Sequence, residues 1–388
     1  MPVKPPRPQL ARIAAVMAWA VLAALSVLAR PGSGADAVVP GTVEALGERL
    51  FFDVNLSWNR TTACASCHDP ARAFSDPRGA GSPGDDGVAL GDRNAPTAMY
   101  AAMVPPLGRT PAGDWVGGLF HDGRAATLAE QAAGPPLNPA EMGMPDRAAV
   151  LERLREDSVY VAAFPALFGA GVLDDAAPAF DAMTAALEAF ERTERFAPFT
   201  SRYDRWLRGE IALTPEEELG RTLFFSQQFT NCSRCHMGAG PTALNETFTD
   251  HRHHNIGTPE NLALRAVNGV APGTIDPGLG GVVGDPAALG RIRTPTLRNV
   301  AVTGPYMHNG VFADLRTVIL YYNSYNTRSE ARRINPETGT LFAAPQVPET
   351  LALDDLTHGP ALDDRRIDAL VAFLNALTDA EFEGAHDR

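Results

Sequence analysis

Two short segments hold every cysteine of the chain. Cys64-Ala65-Ser66-Cys67-His68 and Cys232-Ser233-Arg234-Cys235-His236 both read C-x-x-C-H. Two thiols three residues apart can add to the two vinyl groups of one haem, and the histidine that follows then lies under the iron as an axial ligand. A redox dithiol, a zinc site and two disulfides are the competing uses of these residues. A dithiol does not need the following histidine, and a zinc site would want its ligands in one cluster. Haem attachment uses all four cysteines. The expectation is two covalently bound haem c groups, held by Cys64, Cys67, Cys232 and Cys235 and ligated by His68 and His236.

The segments that must position these motifs occur twice. Leu46-Gly47-Glu48-Arg49-Leu50-Phe51-Phe52 precedes the first motif and Leu219-Gly220-Arg221-Thr222-Leu223-Phe224-Phe225 the second. Arg93-Asn94-Ala95-Pro96-Thr97 is echoed by Arg293-Thr294-Pro295-Thr296, and Phe120-His121-Asp122-Gly123 by Met307-His308-Asn309-Gly310. The reading is a mainly α fold of two cytochrome c-like haem domains related by internal duplication, over 38–205 and 206–388, joined by long irregular loops. Thr214-Pro215-Glu216-Glu217 predicts a helix start with a capping box. Phe180, Met183, Leu187 and Phe190, and likewise Ile367, Leu370, Val371 and Leu374, keep helical spacing and read as core faces. Residues 77–92 and 257–290 read as Gly/Pro/Asp-rich loops.

The duplication predicts an asymmetry. Fourteen residues past His308 lies Tyr322; fourteen past His121 lies Pro135. A tyrosine oxygen can bind ferric iron and a proline side chain cannot. On this reading the second haem is closed and the first is open to a small molecule. The other reading makes Tyr322 an ordinary core aromatic beside Tyr321. Glu141, six residues beyond Pro135, could take a proton from peroxide and return it to the leaving oxygen if it hangs over the open iron. Otherwise it is an exposed loop carboxylate.

Composition bounds the class. The chain has 388 residues, 45% hydrophobic and 20% charged, which is enough to bury real cores. Residues 1–37 read as a cleaved export signal: Lys4, Arg7 and Arg12, an apolar run from Ile13 to Ala29, then Ala35-Asp36-Ala37. A retained anchor is the alternative. The net charge is −13, and removal of that segment leaves 29 basic against 45 acidic side chains. An acidic body argues against nucleic acid as a partner. Export and covalent haem together point to the periplasm, with no stable membrane insertion after cleavage.

These motifs resemble the bacterial di-haem cytochrome c peroxidases and their MauG-like relatives. The resemblance runs from Leu46 to the last helix. It includes Leu50 to Ser57, both haem motifs, the Asp122–Gln131 stretch, Asn138-Pro139-Ala140-Glu141-Met142-Gly143, and Arg293 to Gly310. It implies a peroxidase acting on hydrogen peroxide, with Glu141 as the catalytic glutamate and Gln131 sharing its pocket. It implies calcium between the haems, held by Asn94 and the carbonyls of Thr303 and Pro305. A tyrosine at position 322, where the peroxidases have methionine, resembles the MauG-like branch and implies ligation of the second haem by Tyr322. The electron donor is then either a small redox protein or side chains of a partner protein; a non-enzymatic di-haem electron carrier is the alternative from another class.

Two residues depart from the family pattern. His121 stands where a tryptophan usually lies between the haems, so weaker communication between them is expected. MauG has a tryptophan two residues before its second motif, where this chain has Thr230. His251, His253 and His254 read either as a metal cluster or as a loop near the haem edge.

Overall fold

Helices supply the regular structure of the computed structural model, which describes residues 38–384. The expected export signal therefore lies outside the described residues. In chain order the helices are α1 (Val43–Phe51), α2 (Cys64–Cys67), α3 (Leu128–Ala132), α4 (Gly134–Leu137), α5 (Arg147–Glu156), α6 (Ser158–Phe168), α7 (Ala176–Glu191) and α8 (Arg202–Leu207). They continue as α9 (Pro215–Phe225), α10 (Cys232–Cys235), α11 (Leu262–Asn268), α12 (Leu279–Val283), α13 (Leu315–Ser324), α14 (Leu353–Leu356) and α15 (Asp364–Asn375). Besides short 3-10 turns, three two-residue antiparallel ladders are described: β1 (Gly108–Arg109) with β2 (Trp115–Val116), β3 (His253–His254) with β4 (Ile292–Arg293), and β5 (Ile334–Asn335) with β6 (Thr340–Leu341). No described helix is long and apolar enough to cross a membrane.

The helix starts follow their caps. Thr214 and Glu217 form the expected reciprocal capping box on α9. One loop expectation is corrected. Residues 257–290 contain α11 and α12, because Asn261 caps α11 with its side chain and Leu264 is buried.

Two apolar cores form around two helix pairs. Leu46, Leu50 and Phe51 of α1 pack with Phe180, Met183, Leu187 and Phe190 of α7. Leu223 and Phe224 of α9 pack with Ile367, Leu370, Phe373 and Leu374 of α15. Each pair crosses at a glycine. A Cβ on Gly47 would lie 1.9 Å from the Ala186 carbonyl oxygen, and one on Gly220 would lie 1.9 Å from that of Ala369. Alanine favours an exposed helix interior over glycine by about 1 kcal/mol, but here it would drive carbon into a backbone oxygen. The clash decides the sign. Gly220→Ala is expected to destabilise the protein by about 3 kcal/mol, read as a lowered denaturation midpoint; an unchanged midpoint would show that the helices can separate at little cost.

Buried polar contacts tie the C-terminal segment to both cores. The Asp379 carboxylate accepts from Tyr100 Oη at 2.6 Å, Asn299 Nδ2 at 2.9 Å and the Thr200 amide at 2.8 Å. The fully buried Arg298 is neutralised by Asp204 and also donates to the Glu246 carbonyl. From Pro40 onward the described residues form one compact unit.

Candidate haem sites and proton-handling residues

The two C-x-x-C-H motifs are built alike. Each pair of cysteines lies on a single helical turn, α2 or α10, and the histidine leaves its end with its amide bonded to the first cysteine's carbonyl at 2.9 Å. His68 Nδ1 lies 3.1 Å from the Phe74 carbonyl, and His236 Nδ1 lies 3.2 Å from that of Phe248. An imidazole that donates from Nδ1 presents Nε2 as a lone pair, the form that binds iron. Phe74 and Phe248 both take a φ of +54°, unusual for bulky residues, and so turn these carbonyls toward the rings. Burial lowers the pKa of His68 and takes that of His236 down to about 4, so both rings are neutral at pH 7.

The four cysteines form no disulfide, and their electrostatics argue against a redox dithiol. Burial pushes Cys64 up to about 12 and raises Cys67 and Cys232. A redox-active pair needs a depressed thiol pKa. Half-buried thiols, of which Cys232 and Cys235 line an apolar cavity, fit thioether attachment instead.

An apolar cavity of about 330 Å³ opens beside the second motif, lined by Cys232, Cys235, His236, Leu297, Ile319 and Tyr322 among others. The sequence left Tyr322 open between ligand and core aromatic. Its neighbour Tyr321 spends its hydroxyl on the Gly257 and Ile256 carbonyls and lies 3.0 Å from Tyr325 Oη. The Tyr322 hydroxyl has no hydrogen bond to a described residue, and burial raises its pKa. Two thiols, a neutral imidazole and an unspent phenol on an apolar cavity are a donor set that could hold a haem.

The first motif has different company. Glu141 lies in the loop after α4, its carbonyl accepting the Asp85 amide at 2.6 Å. Asp85 is itself buried and fixed by Ser57 and Thr61. Glu141 is half-buried rather than an exposed loop carboxylate. Burial raises its pKa, while Asn138 and Arg124 pull it back, and its charge reaches Cys64. Gln131 sits half-buried on α3 with no side-chain hydrogen bond to a described residue. Pro135 and Pro136 stand where α3 gives way to α4, whereas α13 runs unbroken through Tyr322.

His121 and His308 both line the cavity beside the second motif, their rings 6.4 Å apart. His121 Nε2 is 2.8 Å from the Asn94 carbonyl, and burial takes its pKa to about 3, so the ring is neutral. Asn94 also brings its side-chain amide against the Pro305 carbonyl, and Thr303 lines the same cavity. His251, His253 and His254 do not converge as a trio. His253 Nε2 is bonded to the Gly117 carbonyl, and the group that comes together among the described residues is Cys235, Asp250 and His254. A thioether at Cys235 would remove its thiolate from that set.

Sequence reasoning missed Glu191. It is buried beside Cys64 with its pKa pushed up to about 8 by burial. Its signal was present: it follows Leu187 by four residues, on the core stripe of α7. It also missed Arg93, which joins Asp276 and Asp122 across distant segments; nothing local announces that pairing.

Comparison with known proteins bears on the same geometry. Residues 42–212 match the family described as di-haem cytochrome c peroxidase. The chain is 52% identical over 374 residues to the methylamine utilization protein MauG of Paracoccus denitrificans, covering 94% of this chain and 96% of that protein. It is 32% identical over 300 residues to a cytochrome-c peroxidase of Denitromonas iodatirespirans, covering 72% of each. The diheme peroxidase BthA of Burkholderia thailandensis superposes with a TM-score of 0.79 at 33% identity, covering 89% of this chain and 88% of that one. The chain belongs to the di-haem cytochrome c peroxidase/MauG family of oxidoreductases.

Proposed function

We propose that the chain is a periplasmic peroxidase that binds two haem c groups and reduces hydrogen peroxide at the N-terminal one. The observation that carries this reading is asymmetry. Tyr322 offers an unspent hydroxyl on the cavity that His236 also lines, whereas the first motif has a half-buried carboxyl, Glu141, near Cys64, with prolines at the related helix position. Haem iron, when bound, supplies the site where peroxide is activated and the electrons that reduce it. The division into haem domains over 38–205 and 206–388 belongs to the same proposal and is supported by the two cores.

The roles of the chain's own groups follow. His68 and His236 would hold their irons through Nε2, with their rings oriented by the Phe74 and Phe248 carbonyls. Cys64, Cys67, Cys232 and Cys235 tether the two porphyrins. Glu141 takes the proton from peroxide and delivers it to the departing oxygen, and Gln131 helps orient the oxygens. Tyr322 would supply the second iron's other protein ligand, which would reserve that site for electron transfer. A calcium ion held by Asn94, Thr303 and Pro305 would stiffen the region between the sites through neutral oxygens. The Asn94 side-chain amide donates to the Pro305 carbonyl; turned over, it would present oxygen to a cation.

The donor is a small redox protein or side chains of a partner protein. The neutral imidazole of His121 oxidises less readily than an indole, which supports weaker coupling of the two haems than in relatives with tryptophan there. Thr230, in place of a tryptophan next to the second motif, argues against an identical route to a protein substrate.

Spectroscopy of the diferric protein with and without peroxide tests the proposal. One high-spin and one low-spin haem, with the high-spin signal consumed by peroxide, is the expected result. Two low-spin haems inert to peroxide would replace it with a simple electron carrier.

A further inference from the structure

Arg293 carries a guanidinium, its Nε buried, that meets no carboxylate among the described residues. It lies on β4 opposite His253 and donates its amide to the His121 carbonyl at 2.8 Å. Its side chain lines the cavity that holds Cys232, His236 and Tyr322. Nη1 reaches the Thr294 carbonyl at 3.3 Å, and Nε is buried with no partner. No carboxylate pairs with it among the described residues. Burial alone takes its pKa down to about 10.

The rest of the fold shows how this chain treats buried arginines. Arg298 binds Asp204 through both terminal nitrogens and places Nε on the Glu246 carbonyl at 2.8 Å. Arg93 binds Asp276 through Nε and Nη2 and Asp122 through Nη1. Leaving a buried charge unpaired carries a large desolvation penalty. A guanidinium without a carboxylate at a cavity wall, its Nε unspent, is therefore matched to an anion that the cavity receives.

We propose that Arg293 binds a propionate carboxylate of the haem seated in this cavity. The proposal rests on the haem reading above and deepens it. Backbone geometry adds a second argument. The Asn94 amide donates to the His308 carbonyl at 2.7 Å, as the Arg293 amide does to that of His121. The two residues thus occupy related positions, one carrying a neutral amide toward a proposed cation site and the other carrying its own cation.

The carboxylate could belong to the cofactor, or the site could take a free anion, and one experiment separates them. Arg293→Met and Arg293→Lys are purified as holoproteins, and haem content, resonance Raman spectra and the potentials of both haems are recorded. The expected result is two haems per chain in each variant. In R293M the propionate-bending bands of one haem shift and its potential falls, because a nearby positive charge that disfavoured the ferric state is gone. R293K moves the potential back toward the parent's while its bands stay shifted, since an ammonium keeps the charge without the planar fork. If R293M does not accumulate, the shifted bands of R293K carry the test. Bands and potentials that superimpose on the parent's in the variants overturn the assignment. So does a parent potential that depends on chloride concentration while the propionate bands stay put in the variants, which marks a free-anion site. Absence of covalent haem from the parent would instead sink the underlying haem reading, and is distinguished at the first measurement.

Discussion

Glu141→Gln is expected to slow the reaction with hydrogen peroxide by about 10²–10⁴-fold while both haems stay in place. Glutamine keeps the size of the side chain and its hydrogen bonding but can neither take nor return a proton. The loop should survive, because its anchor is the Glu141 backbone carbonyl on the Asp85 amide, which the substitution does not touch. The pH profile gives an independent check. As a base Glu141 must be ionised. Burial raises its pKa above the ordinary carboxylate value of 4.5, so the parent's rate should fall on acidification at a higher pH than a solvated glutamate would give. That acid limb should be missing from the glutamine variant. Stopped-flow measurement of the peroxide reaction from weakly acidic to neutral pH would show both effects; an undiminished rate would remove Glu141 from the proton path.

Tyr322→Phe is expected to convert the second haem from low-spin to high-spin, seen in the optical and paramagnetic resonance spectra of the diferric protein. A phenyl ring fills the same space, and the lost hydroxyl has no partner among the described residues, so stability should change little. Tyr321→Phe is the matching control with the opposite pattern. Its hydroxyl serves the Gly257 and Ile256 carbonyls, and leaving buried acceptors unpaired costs about 1–3 kcal/mol. That variant should unfold earlier and keep the parent's haem spectrum. If Tyr322→Phe left the second haem low-spin, the closed site would owe its far ligand to another residue.

These two tyrosines show where the sequence stops. Their adjacency was visible, and so was the spacing that singled out position 322, but a helix turns about 100° per residue and only packing says which side chain meets a cavity. The capping box at Thr214, the core faces of α7 and α15 and the tandem C-x-x-C-H motifs were readable because each depends on spacing within a few residues. Helical period and the reach of a side chain act at that range. Asn261 held the same kind of signal for α11, hidden in a stretch whose glycines and prolines pointed to loop.

What the sequence determined by itself was the inventory: two C-x-x-C-H motifs, the similar segments around them, a mainly helical fold and a candidate glutamate. The tertiary structure alone decided the state of those groups. It turned the Phe74 and Phe248 carbonyls onto the histidines, gave Arg93 two carboxylates and left Arg293 none among the described residues. It also buried Glu191 beside Cys64. Desolvation and long-range hydrogen bonds set charge and availability, and both depend on what surrounds a side chain in space, which residues far away in the chain can supply.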